Sequence, residues 1–179
     1  MRKVIFLDRD GTLIVDKNYL NDPEQIEFID GVFVNLRHLR DLGYQFIVVT
    51  NQSGLARGLI EWDQMQTIHQ RLRGELASEG IDIVAFYYAP ELVEFFPRRR
   101  KPEPGMLLTA SREYNVGLQQ SWMIGDNIWD VIAGLRAGCR AIQLSPFETP
   151  RLQLNCGYGT YSRVSTWNEI FSIVLTNAL

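Results

Sequence analysis

The 179-residue sequence predicts one α/β domain over residues 1–179, a mainly parallel sheet between two helical layers. Three observations carry this. Short apolar runs such as Val4-Ile5-Phe6-Leu7 and Phe46-Ile47-Val48-Val49 leave no polar face, as strands covered on both sides do. Such runs alternate with amphipathic stretches at helical spacing, the pattern of right-handed crossovers onto a parallel sheet. Unusual polar residues then follow the ends of successive strands, where open α/β sheets bind ligands.

Val4 to Leu7 reads as the first strand. Gly31 to Leu42 places Val32, Leu36 and Leu39 on one helical face and stops at Gly43. Phe46 to Val49 is the second strand. Trp62, Met65, Ile68, Leu72 and Leu76 mark a helix closed by Gly80, and Ile83 to Tyr88 is the third strand. Pro90, Pro97 and Pro102 make the stretch from Ala89 to Pro104 an ordered loop. Gly105 to Tyr114 is helical, Ser121 to Ile124 is the fourth strand, and Ile128, Val131, Ile132 and Leu135 form a helix ending near Gly138. Ala141 to Leu144 is the fifth strand. A last helix follows Ser165, because Thr166 and Glu169 are spaced as a capping box.

Composition narrows the function classes. A net charge of -3 argues against a general binder of nucleic acid or of membrane surfaces. Two cysteines, Cys139 and Cys156, make no disulfide framework, and no signal-like or membrane-length apolar stretch is present, so a reducing cytoplasm is the expected compartment.

Asp8 and Asp10 follow the first strand, Thr50, Asn51, Gln52 and Ser53 the second, Lys101 the third and Asp126 the fourth, all at one edge of the sheet. Scattered surface polars would not collect at the same end of parallel strands, so the coincidence points to a site. Each residue alone has a plainer reading. Thr50 could bond its own backbone, Lys101 could be a solvated charge, and Asp126 could simply cap the next helix. Asp130, one turn further on, reads equally as a neighbour of the site or as a surface acid. Asp16, Lys17, Asn18 and Tyr19 read as a contact loop over the site or as a hydrophilic turn. Arg98 and Arg99 read as a solvated basic turn. Arg100 adjoins Lys101 and carries a planar fork of donors suited to phosphate or sugar hydroxyls. His38 and His69 flank apolar helix faces, which favours packing or surface roles.

In this order and spacing, Asp8-Arg9-Asp10-Gly11-Thr12, Thr50-Asn51-Gln52-Ser53-Gly54, Lys101-Pro102 and Gly125-Asp126-Asn127-Ile128-Trp129-Asp130 resemble the four motifs of the haloacid dehalogenase (HAD) superfamily of phosphohydrolases. Asp16 to Tyr19, Val49 to Gly58 and Arg100 to Met106 are similar to its heptose bisphosphate phosphatase branch, with histidinol-phosphate phosphatases closely related.

The resemblance implies a Mg²⁺-dependent phosphatase acting on the 7-phosphate of a heptose 1,7-bisphosphate, a cell-envelope precursor. It implies Asp8 as nucleophile, Asp10 as proton donor and acceptor, and Lys101 as a second positive charge, all three catalytic. The metal would be held by Asp8, Asp126 and the main-chain carbonyl of Asp10, with Asn127 contributing through its backbone. Asp16, Lys17, Asn18, Tyr19, Thr50, Asn51, Gln52, Ser53, Arg100 and Lys101 would contact the phosphorylated sugar.

Relatives in both subfamilies often hold zinc through Cys and His in the loop after the third strand. Ala89 to Arg100 contains neither, so no structural zinc is expected, and prolines with Phe95 and Phe96 would order the loop instead. Only about 40 residues separate the first two motifs, too few for a helical cap domain. A monomer is expected, with no nucleic-acid or membrane partner. The alternatives are a histidinol-phosphate or nucleic-acid 3'-phosphatase, or a non-catalytic phosphosugar-binding domain.

Overall fold

A computed structural model describes residues 1–92, 98–146 and 151–178. The first five strands run parallel: β1 (Val4–Leu7), β2 (Gln45–Asn51), β3 (Ile83–Ala89), β4 (Trp122–Gly125) and β5 (Arg140–Leu144). Two more, β6 (Arg151–Asn155) and β7 (Thr160–Val164), complete the order β3-β2-β1-β4-β5-β7-β6. β7 runs parallel to β5, and β6 pairs antiparallel to β7 at the edge.

Successive residues of β1 point to opposite faces. Ile5 and Leu7 join one core with residues of α1 (Val32–Asp41), α2 (Trp62–Ser78) and α5 (Trp167–Thr176). Val4 and Phe6 join the other, against α3 (Gly105–Tyr114) and α4 (Ile128–Ala137). β1 therefore has β2 on one side and β4 on the other, and chain order reverses there. That switch point opens a crevice beyond the carboxyl ends of these strands.

The chain between β1 and α1 stays small. It leaves the sheet after Asp10 and returns through Val15 N–H to Glu27 O at 2.8 Å and Ile29 N–H to Leu13 O at 3.0 Å. Thr166 caps α5, and Glu169 answers to the Thr166 backbone, as the spacing predicts.

Two expectations change. β6 and β7 were not foreseen, because neither is an apolar run. Trp62 does not belong to the buried face of α2: it is the first residue of the helix, it is 51% exposed, and its ring meets Tyr88 edge-on at 5.4 Å. The roles expected for Phe95 and Phe96 lie outside the described residues.

Candidate active site

Asp8 begins the site as a continuation of the sheet, its N–H donating to Ile124 O at 2.9 Å. Gly11 then turns the chain with φ of 74°. A Cβ there would stand 2.4 Å from Asp126 Oδ2, so only glycine lets the two loops approach this closely.

Lys101 is brought in from the loop after β3. The Asn51 side chain does this by pairing with the Lys101 backbone as a strand would: Asn51 Nδ2 donates to Lys101 O at 3.0 Å, and Lys101 N–H donates to Asn51 Oδ1 at 3.0 Å. The Lys101 ammonium is buried. It donates to Val49 O at 2.7 Å and forms ion pairs with Asp130 Oδ1 at 2.6 Å and Asp8 Oδ1 at 2.8 Å. Burial works against its charge, but Asp130 and Asp8 outweigh burial and raise its pKa.

The carboxylates experience the converse. Burial pushes Asp8 up to about 7, Lys101 pulls against that, and the Asp130 charge adds to it. Asp126 is pushed up to about 6, first by burial and then by Asp130. One oxygen from each of Asp8, Asp126 and Asp130 lies within 4.8 Å of the others. Asp130 has both oxygens engaged, Oδ1 by Lys101 and Oδ2 by the Asn127 N–H at 3.0 Å. Asp8 and Asp126 are thus the carboxylates that fit a hard cation, with oxygen donors only and more negative charge than Lys101 neutralises.

Asp10 is separately held. Arg9 Nε donates to Asp10 Oδ2 at 3.0 Å and Arg9 Nη2 to Oδ1 at 3.0 Å, while Gln52 Nε2 donates to Oδ2 at 2.9 Å and also to Thr50 Oγ1 at 2.9 Å. Thr50 and Gln52 are buried in this network rather than bonded locally.

A cleft of about 390 Å³ collects Asp8, Asp10, Asp16, Asn18, Tyr19, Thr50, Asn51, Gln52, Ser53, Arg100, Lys101, Asp126 and Asn127. Lys17 is not among them. Its ammonium lies 2.7 Å from Glu27 Oε2, whereas Asp16 Oδ1 accepts the Asn18 N–H at 2.8 Å within the cleft wall. Asn127 spends its side chain on capping α4, accepting the Trp129 N–H at 3.1 Å. Arg100 donates to Glu91 O at 3.1 Å. Of the two readings of Asp130, the buried neighbour of the site holds, at 2% exposure. The cleft also contains Arg9 and Trp129, which sequence reasoning did not single out. Placement of Arg9 between two strand-end aspartates was the available signal. A second cleft, of about 410 Å³ between β4, β5, β7 and α5, contains none of these carboxylates.

Residues 98–145, which carry Lys101, Asp126 and Asp130, match the HAD-hydrolase-like family model. Sheet, loops and match together define a HAD-like hydrolase. Over 140 residues the chain is 42% identical to the D-glycero-beta-D-manno-heptose-1,7-bisphosphate 7-phosphatase of Pasteurella multocida (strain Pm70), covering 75% of this chain and 76% of that one. Over 158 residues it is 37% identical to the same enzyme of Helicobacter pylori (strain ATCC 700392 / 26695), covering 86% and 91%. The chain belongs to this phosphatase family. The D,D-heptose 1.7-bisphosphate phosphatase from B. bronchiseptica, solved with magnesium and phosphate, is similar at TM-score 0.84 and 26% identity, covering 98% of this chain and 99% of that one.

Proposed function

We propose that this single-domain chain is a Mg²⁺-dependent, cytoplasmic and monomeric phosphatase that removes the 7-phosphate of D-glycero-D-manno-heptose 1,7-bisphosphate. The observation that supports it most directly is a carboxylate at the sheet switch point, Asp8, held 2.8 Å from a buried ammonium. The names of its 37–42% identical relatives supply the substrate.

A carboxylate meets a phosphate dianion only if positive charge offsets their repulsion. Mg²⁺, held by Asp8, Asp126 and the Asp10 carbonyl, would supply Lewis-acid neutralisation of phosphoryl oxygens. Lys101 supplies the charge the protein owns, and Asp130 keeps it in place. An Asp8 oxygen attacks phosphorus while the bond to the sugar oxygen breaks, its electron pair leaving with that oxygen. Asp10 protonates the departing oxygen, then takes a proton from the water that hydrolyses the aspartyl-phosphate. Thr50 and Ser53 orient the phosphoryl group. Asp16, Asn18, Tyr19 and Arg100 contact the sugar or its second phosphate. With no Cys or His between Ala89 and Arg100, the loop does without zinc.

The test is phosphate release with Mg²⁺ from both heptose 1,7-bisphosphate anomers, histidinol phosphate and a 3'-phosphorylated oligonucleotide, with Asp8→Asn as blank. A preference of at least about tenfold for a heptose anomer is expected, and a loss of at least about 10³ in the variant. Equal slow rates on all substrates would refute the substrate assignment.

A further inference from the structure

Arg9 is among the largest fully buried side chains, 1% exposed. A guanidinium has donors only, so each of its edges needs an acceptor. Nε and Nη2 fork onto Asp10, and Nη2 also reaches Gln52 Oε1 at 3.1 Å. Nη1 lies 3.4 Å from His69 Nε2, a contact between β1's loop and α2 across 60 residues of sequence. Because arginine only donates, Nε2 is the acceptor and the ring proton sits on Nδ1. Burial, with the charges of Arg9 and Arg73, pushes the His69 pKa down to about 3 and keeps the ring an acceptor at working pH. The ring is itself locked, stacked on Phe86 with centroids 4.7 Å apart.

We propose that His69 is a positioning residue for proton transfer: its neutral Nε2 fixes the plane of Arg9, and Arg9 holds the Asp10 carboxylate where its proton reaches the leaving oxygen. This rests on the function proposed above, with Asp10 as the acid. Asp10 Oδ2 takes donors from both Arg9 and Gln52, whereas Oδ1 takes Arg9 Nη2 alone and keeps room for the transferable proton. When Asp8 bonds to phosphorus and the P–O bond to the sugar breaks, the electron pair stays on the sugar oxygen and this proton joins it. An alkyl oxygen needs the proton. p-Nitrophenolate, a stable anion, leaves without it.

The experiment compares kcat/KM for the heptose bisphosphate and for p-nitrophenyl phosphate in wild type, His69→Phe and His69→Gln. This ratio reports events through departure of the leaving group and is blind to the later hydrolysis in which Asp10 also takes part. His69→Phe keeps the stacking and loses the acceptor; it should lower kcat/KM about tenfold or more on the sugar ester and less than about twofold on the aryl ester. His69→Gln, which retains an acceptor, should restore most of the loss. Where phenylalanine does not fold, His69→Leu serves the same comparison. Equal losses on both esters, or none, in a folded variant would overturn the inference while leaving the functional reading standing. A wild type inactive on both esters would overturn that reading, and the inference with it.

Discussion

The Lys101 ammonium lies 2.6 Å from Asp130, closer than its 2.8 Å approach to Asp8. The residue nearest the buried charge is therefore a clamp and not the candidate nucleophile. Asp130 has donors on both sides, Lys101 on Oδ1 and the Asn127 N–H on Oδ2, and an amide has only one acceptor oxygen.

Asp130→Asn therefore has to set its NH₂ against one of these donors. We expect a loss of about 1–3 kcal/mol of stability, because Lys101 retains Asp8 and Val49 O as partners. A fall in kcat of about tenfold or more should accompany it as Lys101 loses its fixed place. Urea unfolding and steady-state kinetics on the same preparation check both, and an unchanged midpoint would show that the clamp carries no load.

Removal and restoration of Mg²⁺ should move protons. In metal-free protein Asp8 sits at about 7 and Asp126 at about 6, both raised chiefly by burial. The folded chain thus holds protons that the unfolded chain has released between about pH 4 and 7, and charging these groups costs stability as pH rises. A cation favours their charged forms, so Mg²⁺ affinity should climb through pH 6–7 and binding at pH 6 should release about one proton. Calorimetry in two buffers of different ionisation enthalpy reads this directly. An apparent enthalpy independent of buffer would contradict the assignment of the cation to these carboxylates.

Gly125→Ala tests the packing that holds Asp130 in place. A Cβ at this position would stand 2.2 Å from Asp130 Oδ2 and 2.4 Å from Asp130 Cβ, too close for any adjustment of a buried, doubly bonded side chain. Displacing Asp130 releases Lys101, so activity should drop more than about tenfold with the far core unaffected. Near-native circular dichroism with retained activity would mean that α4 shifts freely.

The legible parts of the molecule are those where one local pattern has one physical cause. β1, β2, β4 and β5 are buried on both faces and read as apolar runs, and α5 announces its start through Thr166 and Glu169. Strand-end clustering exposed Asp8, Lys101 and Asp126 because a parallel sheet sends those ends to one edge. β6 and β7 mix polar with apolar residues, and Gln153, with φ of 58°, lies where the β6 register shifts. The alternation of Arg151-Leu152-Gln153-Leu154-Asn155 is a signal too short to stand beside the continuous apolar runs of the central strands. Arg9 and His69 meet only through the tertiary fold, so neither sequence neighbourhood shows the partner. Lys17 differs from Asp16 and Asn18 only in the direction of its side chain.

His69 also makes an acid-stability prediction independent of turnover. Its pKa is depressed to about 3 from the ordinary 6.5, first by burial and then by Arg9 and Arg73. As pH falls below 6.5 the unfolded chain takes up a proton that the folded chain refuses, so this residue's contribution to stability is lost progressively toward pH 3. Between pH 7 and pH 4 wild type should lose about 3 kcal/mol that His69→Gln does not, since glutamine has no proton to gain. Asp8 and Asp126 act with the opposite sign over this range, but they are common to both proteins and cancel in the difference. Denaturant unfolding of the pair at both pH values isolates the term. Parallel loss in the two proteins would place the His69 pKa near its ordinary value, and Nε2 would then take up a proton and lose Arg9 as soon as the pH falls below about 6.5.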